Sequence, residues 1–228
     1  PGPWVGVRIR RYAEGPDIRS AATSWPRLGK PKWWLFPEGR EMAKVPAVWA
    51  GADRLDIPRP NSEIKPQLYN LDVVAYESLM VGLFAILKTN KPPERPYEKI
   101  NNLCAGFSRD GFHWDRPSRE PVLGVSDDLS AYNAANIQSV GGCFLVYDDE
   151  LHIYCSARGG FTADSPRKLR TGLATLRRDG FASMDADRRG GSLTTRPVLF
   201  KGSQLFVNLD APEGKLLAEV ITPSGQAI

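Results

Sequence analysis

The tetrapeptide Arg-Asp-Gly-Phe occurs twice in this chain and constrains the fold more than any other feature. It begins at Arg109 and again at Arg178, 69 residues later, and each copy follows a run of small and apolar residues. Asp-Gly between apolar runs is a strong hairpin signal, because both residues tolerate positive φ. A strand-and-turn unit that recurs at this spacing indicates an all-β fold and is typical of propeller blades, although reuse of a common turn is the alternative.

The composition agrees with many short strands joined by turns. The 228 residues include 21 Gly and 19 Pro, and the apolar fraction of 42% is ordinary for a globular protein. The net charge is only +4, and the basic clusters, such as residues 8–11, lack the aromatic interleaving of an RNA-binding sheet. We therefore predict no nucleic-acid partner and interpret these clusters as solvated faces. The longest apolar stretch, residues 79–87, is too short to span a membrane.

The cysteines and the known short motifs give no sign of a metal or a cofactor. Cys104, Cys143 and Cys155 form no Cys-x-x-Cys pair and have no histidine at metal-ligand spacing. Cys143 and Cys155 lie in neighbouring apolar runs, so a disulfide and two buried free thiols both remain possible. Nucleotide-binding, serine-triad and zinc motifs do not occur, and we predict no cofactor and no metal.

The sequence pattern predicts two hairpins and a change in strand spacing after Phe181. Residues 67–87 contain two β-rich runs around Tyr76-Glu77-Ser78, which favour a hairpin over a helix. Residues 142–156 predict a second hairpin with its turn at 148–150. After Phe181 the chain shows short strand patterns with a turn about every ten residues, which is typical of a sandwich. We place one domain over residues 1–185 and a second over 186–228.

Glu77 is the first candidate for chemistry. It lies between Tyr76 and an apolar run, and a half-buried carboxyl beside aromatic rings has a raised pKa, which prepares a general acid for glycosidic cleavage. The structural alternative is a polar turn residue of the hairpin. Trp25, Trp33, Trp34 and Trp49 could stack on sugar rings or fill a core.

A second group of candidates lies upstream of Glu77. Glycoside cleavage needs two carboxyls on opposite sides of the bond, and Asp53 and Asp56 are candidates for the second carboxyl. Turn or solvated positions are the alternative for both. Gln67, Tyr69 and Tyr76 are the candidate substrate-binding residues, because polar side chains must orient the sugar hydroxyls.

Several segments, in the same order, together resemble a family of carbohydrate-cleaving enzymes. Ser108-x-Asp110-Gly111-x-x-Trp114 approaches the Asp-box turn of propeller sialidases but lacks one residue. The whole set resembles bacterial proteins related to glycoside hydrolase family 32, which cleave fructans and sucrose, and the resemblance covers about residues 65–228. The segments that carry it are residues 75–83 (AYESLMVGL), 108–114 (SRDGFHW), 149–154 (DELHIY), 172–181 (GLATLRRDGF) and 191–225.

The resemblance implies a fold and a function. It implies part of a five-bladed β-propeller followed by the start of a β-sandwich, and a secreted or periplasmic location. It gives Glu77 the acid/base role, whereas the family's nucleophile motif and its Arg-Asp-Pro motif do not occur here. The expected function is a glycoside hydrolase acting on an oligo- or polysaccharide, inactive as this fragment alone. The alternative is a non-catalytic carbohydrate-binding propeller module.

Overall fold

The computed structural model describes residues 8, 10–12, 16–17, 19, 47–60, 62, 64–90, 99–159 and 168–228. The predicted all-β class is confirmed, because the described residues form nine strands and almost no helix. The chain forms two compact units, Pro1–Ser183 and Met184–Ile228. Trp25, Trp33 and Trp34 lie outside the described residues. The strands are β1 (Arg10–Tyr12), β2 (Ala47–Ala50), β3 (Gln67–Tyr76), β4 (Leu79–Asn90), β5 (Lys99–Ser108), β6 (Gln138–Ser139), β7 (Leu145–Tyr147), β8 (Glu150–Gly159) and β9 (Lys168–Arg177).

The first large sheet is the antiparallel meander β3-β4-β5. Tyr76 pairs with Leu79 across the turn, which confirms the predicted hairpin over residues 67–87. Central strand β4 is apolar on both faces, because Leu83 and Ala85 point to one side while Phe84 and Ile86 point to the other, and all are buried. A strand buried on both faces has a continuous apolar sequence, which is why this run could also suggest a helix.

The second large sheet is built around β8, with β6 and β7 on one side and β9 on the other. The side chains of β8 alternate between buried and more exposed along its whole length. Such alternation is typical of a sheet with one covered face. Val81 and Leu83 of β4 lie in one apolar cluster with Leu151 and Ile153 of β8. The two sheets therefore pack face to face through β4 and β8.

The opposite face of the first sheet is covered by Trp49 and Ala50 of β2 and by the loop that carries Trp114. Trp114 packs edge-on to Phe84, with ring centroids 5.4 Å apart, and Trp49 packs edge-on to Trp114 at 6.3 Å. Glycines make this approach possible: a Cβ at Gly82 would lie 2.8 Å from the Trp114 ring, and one at Gly106 would lie 2.5 Å from the Phe84 ring. Trp49 thus fills a core here, which was one of the two uses that we considered for the tryptophans.

The two Arg-Asp-Gly-Phe turns occupy equivalent places in the two sheets. The first follows the end of β5 and the second follows the end of β9, so each follows the last strand of a meander. Their local geometry differs, because the residue with positive φ is Gly111 in the first copy and Asp179 in the second. The repeat is therefore one of position in the fold and not of identical turn geometry.

The first of these turns is held by side-chain caps. Ser108 Oγ accepts a hydrogen bond from the Gly111 amide at 2.8 Å, and Asp110 Oδ1 accepts from the amides of Phe112 and His113 at 2.8 Å each. The second carboxylate oxygen of Asp110 lies 2.6 Å from His113 Nδ1. The aromatic residue that packs back against the sheet is Trp114, while Phe112 is exposed.

All three cysteines are buried and free, which answers the question that the sequence left open. Burial raises the pKa of the Cys143 thiol to about 12. This thiol points at the carbonyl oxygen of Asp72, with sulfur and oxygen 2.9 Å apart. Cys143 therefore serves as a small apolar residue of the core between the sheets.

The second unit, Met184–Ile228, has no assigned strand; its one β-contact is an isolated bridge between Ile221 and Ala227. The strands expected within residues 191–221 are not formed, and Phe206 and Leu217 are 85% and 82% exposed. A strand with one apolar face needs neighbouring strands and a covering layer, and residues 184–228 do not provide them. Among the described residues, no helix has the length and apolarity to cross a membrane.

Replacing Gly106 by Ala should destabilise the first unit by about 1–3 kcal/mol, the usual cost of overpacking a core. The new methyl group would meet the buried Phe84 ring at 2.5 Å and Arg116 Cγ at 3.0 Å. Gly172→Ala in β9 is the matched control, because its methyl group would meet the Tyr132 ring at 3.1 Å and its hydroxyl oxygen at 3.2 Å. Urea unfolding measures the free energy of unfolding of both variants. An equal loss of stability in the two variants would contradict the close packing at Gly106.

The Asp110–His113 pair should make the turn pH-dependent. Hydrogen bonds from His113 hold the pKa of Asp110 well below its usual value, and the hydrogen bond with Asp110 raises the pKa of His113. The contribution of Asp110 to folding stability is therefore lost as pH falls below about 4. The contribution of His113 to folding stability is lost as pH rises above about 6.5. In an NMR titration, Asp110→Asn should lower the His113 midpoint, because the variant removes the carboxylate partner. An unmoved His113 midpoint would contradict the pairing.

Candidate functional site

The candidate carboxylates Asp53 and Asp56 lie in one ion-pair network with Arg116 and Arg119. The side chains of Asp56 and Arg116 are each only 3% exposed. Arg116 donates from Nη1 to Asp56 Oδ1 at 3.1 Å and from Nη2 to Oδ2 at 2.5 Å. Asp56 Oδ2 also accepts from the backbone amide of Asp53 at 2.8 Å. Both oxygens of Asp56 are therefore engaged inside the protein, away from any substrate.

Asp53 closes the outer side of this network. Arg119 Nη1 donates to its two carboxylate oxygens at 3.1 and 2.9 Å, and Arg116 Nη2 donates at 3.2 Å. Burial opposes ionisation of Asp53, but the hydrogen bonds from the Leu55 amide and from both arginines outweigh it and hold its pKa below the usual value. This geometry favours a structural role, in which the loop around Asp53 is fixed against residues 116–119.

Glu77 lies in the turn between β3 and β4. Its φ is 52°, its side chain is 67% exposed, and Arg178 Nη2 donates to its Oε1 at 3.2 Å. The half-buried environment that we expected for a general acid is therefore not present.

Glu77 is also separated from Asp56. Arg116, the partner of Asp56, lies over the Phe84 ring at 5.0 Å. Phe84 is seven residues beyond Glu77, roughly 15 Å or more along the strand, whereas paired glycosidase carboxyls lie about 5–10 Å apart.

Tyr76 belongs to the core between the sheets and not to an open site. It is 9% exposed, and its ring packs edge-on against Phe144 and Phe181 at centroid distances of 5.4 and 6.0 Å. Its hydroxyl donates to Asp179 Oδ1 at 2.8 Å, which joins the β3–β4 turn to the second Arg-Asp-Gly-Phe turn. The structure thus separates Tyr76 from Gln67 and Tyr69, which lie at the opposite end of β3.

Gln67 and Tyr69 meet three basic side chains, and we name this group the Tyr69 cluster: Arg8, Arg10, Gln67, Tyr69 and Lys99. Arg8 donates to Gln67 Oε1 from its backbone amide at 3.2 Å and from Nη1 at 2.9 Å. Arg10 donates to the carbonyl oxygen of Tyr69. Lys99 Nζ donates to the Tyr69 hydroxyl at 3.4 Å. The sequence indicated two of these five residues as candidates.

The aromatic ring of Tyr69 is shared by two cations. Arg8 Cζ lies 5.4 Å from its centroid and Lys99 Nζ lies 5.0 Å from it. Burial and the neighbouring Arg8 charge lower the pKa of Arg10, and Asp72 and Tyr69 oppose that effect. These basic residues converge from β1, β5 and the segment before β1, so their meeting is visible only in the folded chain.

Asp72 is the carboxylate nearest to this cluster along β3, and sequence reasoning missed it. Ser139 on β6 donates its hydroxyl proton to Asp72 Oδ2, and Asn70 Nδ2 donates to the same oxygen at 3.3 Å. Beside this bond, the amides of Asn101, Asn136 and Gln138 form a second polar group. A polar residue at every second place in Asn70-Leu-Asp72 was a signal that one face of β3 is polar at this end.

A small cavity of about 160 Å³ lies beside the sheets and is lined by residues that include Phe107, Glu120, Val122 and Phe181. This volume is below the roughly 300–1,000 Å³ of small-molecule sites, so the cavity is not the candidate site. No group of three or more His, Cys, Asp or Glu gathers in the described part of the chain in a way that could hold a metal.

No protein-family model, curated protein or solved structure matches this chain. The resemblance to glycoside hydrolase family 32 therefore rests on short motifs alone. The function has to be argued from the geometry of the Tyr69 cluster and of the candidate carboxylates.

Asp56→Asn should destabilise the protein by about 3–5 kcal/mol, because it leaves the buried Arg116 guanidinium without its main counter-charge. Asp53→Asn is the matched control and should cost less than about 1 kcal/mol, since that side chain is 48% exposed. Thermal unfolding of the two variants and the wild type measures the difference. A stable Asp56→Asn protein would contradict the structural role.

Proposed function

We propose that this chain is a carbohydrate-binding all-β module and that the Tyr69 cluster is its ligand site. The observation that carries the proposal is the convergence of an aromatic ring and hydrogen-bonding side chains at one end of β3. Sugars are bound through hydrogen bonds to their hydroxyls, and hydrogen bonds that involve a charged group are the strongest of these. Arg8, Gln67 and Lys99 supply the donors and acceptors that such recognition needs.

The architecture that we propose for this module is part of a five-bladed propeller over residues 1–185, followed by the start of a β-sandwich over 186–228. Two antiparallel meanders packed face to face support adjacent blades. The Arg-Asp-Gly-Phe turns at equivalent positions in both sheets also support a structural repeat. The sandwich rests on the family resemblance and on the turn spacing of the sequence.

Binding is favoured over hydrolysis by the positions of the carboxylates. Asp56 has both oxygens bound by Arg116 and the Asp53 amide, and Glu77 lies exposed in a turn. Glycosidic cleavage requires two carboxyls that face each other across one bond. The separation of roughly 15 Å or more along β4 argues against such a pair between Glu77 and Asp56.

Glycoside hydrolysis is the second candidate, and Asp72 is the observation that favours it. Asp72 is three residues from Tyr69 on β3, and its carboxylate is oriented by the Ser139 hydroxyl. A second carboxyl would have to be supplied from outside the described residues. Glu77 keeps the acid/base role in this hypothesis by family resemblance only.

The variant Glu77→Gln separates the two candidates. The hydrolase hypothesis predicts that turnover of a glycoside by the full-length protein falls by about two to four orders of magnitude, the usual worth of a general acid. The binding proposal predicts an unchanged saccharide affinity, because Glu77 lies at the far end of β3 from Tyr69. Initial rates and calorimetry on the same variant measure both, and a turnover loss of that size would overturn the binding proposal.

Tyr69→Ala should weaken saccharide binding by about tenfold or more, because it removes the ring and the hydroxyl that hold Arg8 and Lys99 in place. Tyr154→Ala is the matched control, since Tyr154 lies 42% exposed on β8 in the second sheet. A panel of neutral and acidic oligosaccharides in calorimetry provides the measurement. Equal affinities in both variants would remove the Tyr69 cluster as the site.

A further inference from the structure

The Tyr69 cluster differs from the other arginine group of this protein in its charge balance. Arg116 and Arg119 are matched by two carboxylates, Asp53 and Asp56, with ion-pair distances between 2.5 and 3.6 Å. Within the described residues, the side chains of Arg8 and Lys99 donate to the neutral oxygens of Gln67 and Tyr69. One group of cations is thus neutralised inside the protein, and the other is held in place by neutral acceptors.

The orientation of these cations is fixed by the fold. Arg8 and Lys99 lie over one Tyr69 ring, and a cation over an aromatic face is attracted to it without losing its charge. Asp72 is the carboxylate that attracts Arg10, and it offsets part of the charge of that residue. Among the described residues, Arg8 and Lys99 donate to neutral partners, so the positive charges of these two side chains are held over the ring.

We propose that the Tyr69 cluster binds the oxyanion of an acidic sugar, either the carboxylate of a uronic acid or a sulfate ester. A guanidinium forms paired hydrogen bonds with such planar or tetrahedral oxyanions, and an ammonium adds a point charge. Arg8 and Lys99 select the charged group, Gln67 positions Arg8, and the Tyr69 hydroxyl binds a neighbouring sugar hydroxyl. The inference rests on the proposed function and names the substrate class for the same site.

The test compares three oligosaccharides of equal length by calorimetry at two salt concentrations: an oligogalacturonate, a sulfated oligosaccharide and a neutral one. We expect an acidic oligosaccharide to bind at least about tenfold more tightly than the neutral one, with the difference reduced by salt. The preferred acidic ligand identifies the oxyanion as carboxylate or sulfate. Polyglutamate serves as a polyanion without sugar and should bind much more weakly.

Two charge-removing variants locate the effect. Lys99→Gln and Arg8→Gln should each weaken acidic-sugar binding by about tenfold, as expected for loss of a charged hydrogen bond, and should weaken neutral-sugar binding clearly less. Lys201→Gln, in the second unit, removes the same charge and should change neither affinity. Unchanged thermal midpoints show that the variants fold; a variant that loses its midpoint is replaced by Lys99→Arg, which keeps the charge and should keep the preference.

The outcomes separate the inference from the proposed function. Equal affinity for neutral and acidic sugars would overturn the inference and leave the binding function standing. Binding of no saccharide would overturn both. Polyglutamate binding as tight as that of the acidic sugars, or an equal effect of Lys201→Gln, would also overturn the inference, because the attraction would then be one of general charge.

Discussion

The burial of β4 on both faces is the constraint on which the rest of the first unit depends. On one face Val81 and Leu83 meet β8, and on the other Phe84 and Ile86 lie in one cluster with Trp49 of β2 and with Trp114 of the loop after β5. Each fully buried side chain of this kind contributes about 1.5–3 kcal/mol relative to exposure. The strand thus fixes the second sheet on one side and β2 with the loop after β5 on the other.

The ion-pair network follows from that arrangement. Arg116 is buried because it lies on the Phe84 ring, and a buried guanidinium is tolerated only with a hydrogen-bonded counter-charge. Asp56 supplies that charge, and Asp53 extends the network to Arg119. The packing of Arg116 on the Phe84 ring thus explains Asp53 and Asp56, the two carboxylates that the sequence suggested as catalytic.

The end of β3 near Tyr69 combines a packed ring with charged groups. Tyr69 packs on the apolar cluster that contains Ala85 and Leu103, while its hydroxyl meets Lys99. Tyr69, Arg8 and Lys99 are half-buried there and are positioned by a rigid strand, whereas Gln67 is only 3% exposed. This combination is what a binding site requires, and it distinguishes the Tyr69 cluster from the buried Asp56 network.

The sequence predicted the hairpins well because strand pairing is a local property. Turn residues between β-rich runs specified the β3–β4 hairpin, and the Asp-Gly turns marked the ends of β5 and β9. The roles of Glu77 and Asp56 could not be read in the same way, since burial depends on partners far along the chain, such as Arg116 and Arg178. Arg8 belongs to a basic cluster that the sequence suggests is solvated, and Lys99 belongs to none of the candidate motifs. Only the fold brings both side chains to the Tyr69 ring. The apolar pattern of residues 191–221 predicted strands. Within residues 184–228, the isolated bridge between Ile221 and Ala227 is the β-pairing that forms.

Native-state hydrogen exchange tests most directly the claim that the two large sheets share one core through β4. The amides of Leu83 in β4 and Ile153 in β8 are the probes, because both residues lie in the cluster between the sheets. The account predicts that both amides exchange only through the same global opening, with equal free energies and equal dependence on added denaturant. Exchange of β8 and β9 at a clearly lower free energy than β4 would show that the second sheet opens independently, and it would contradict the shared core.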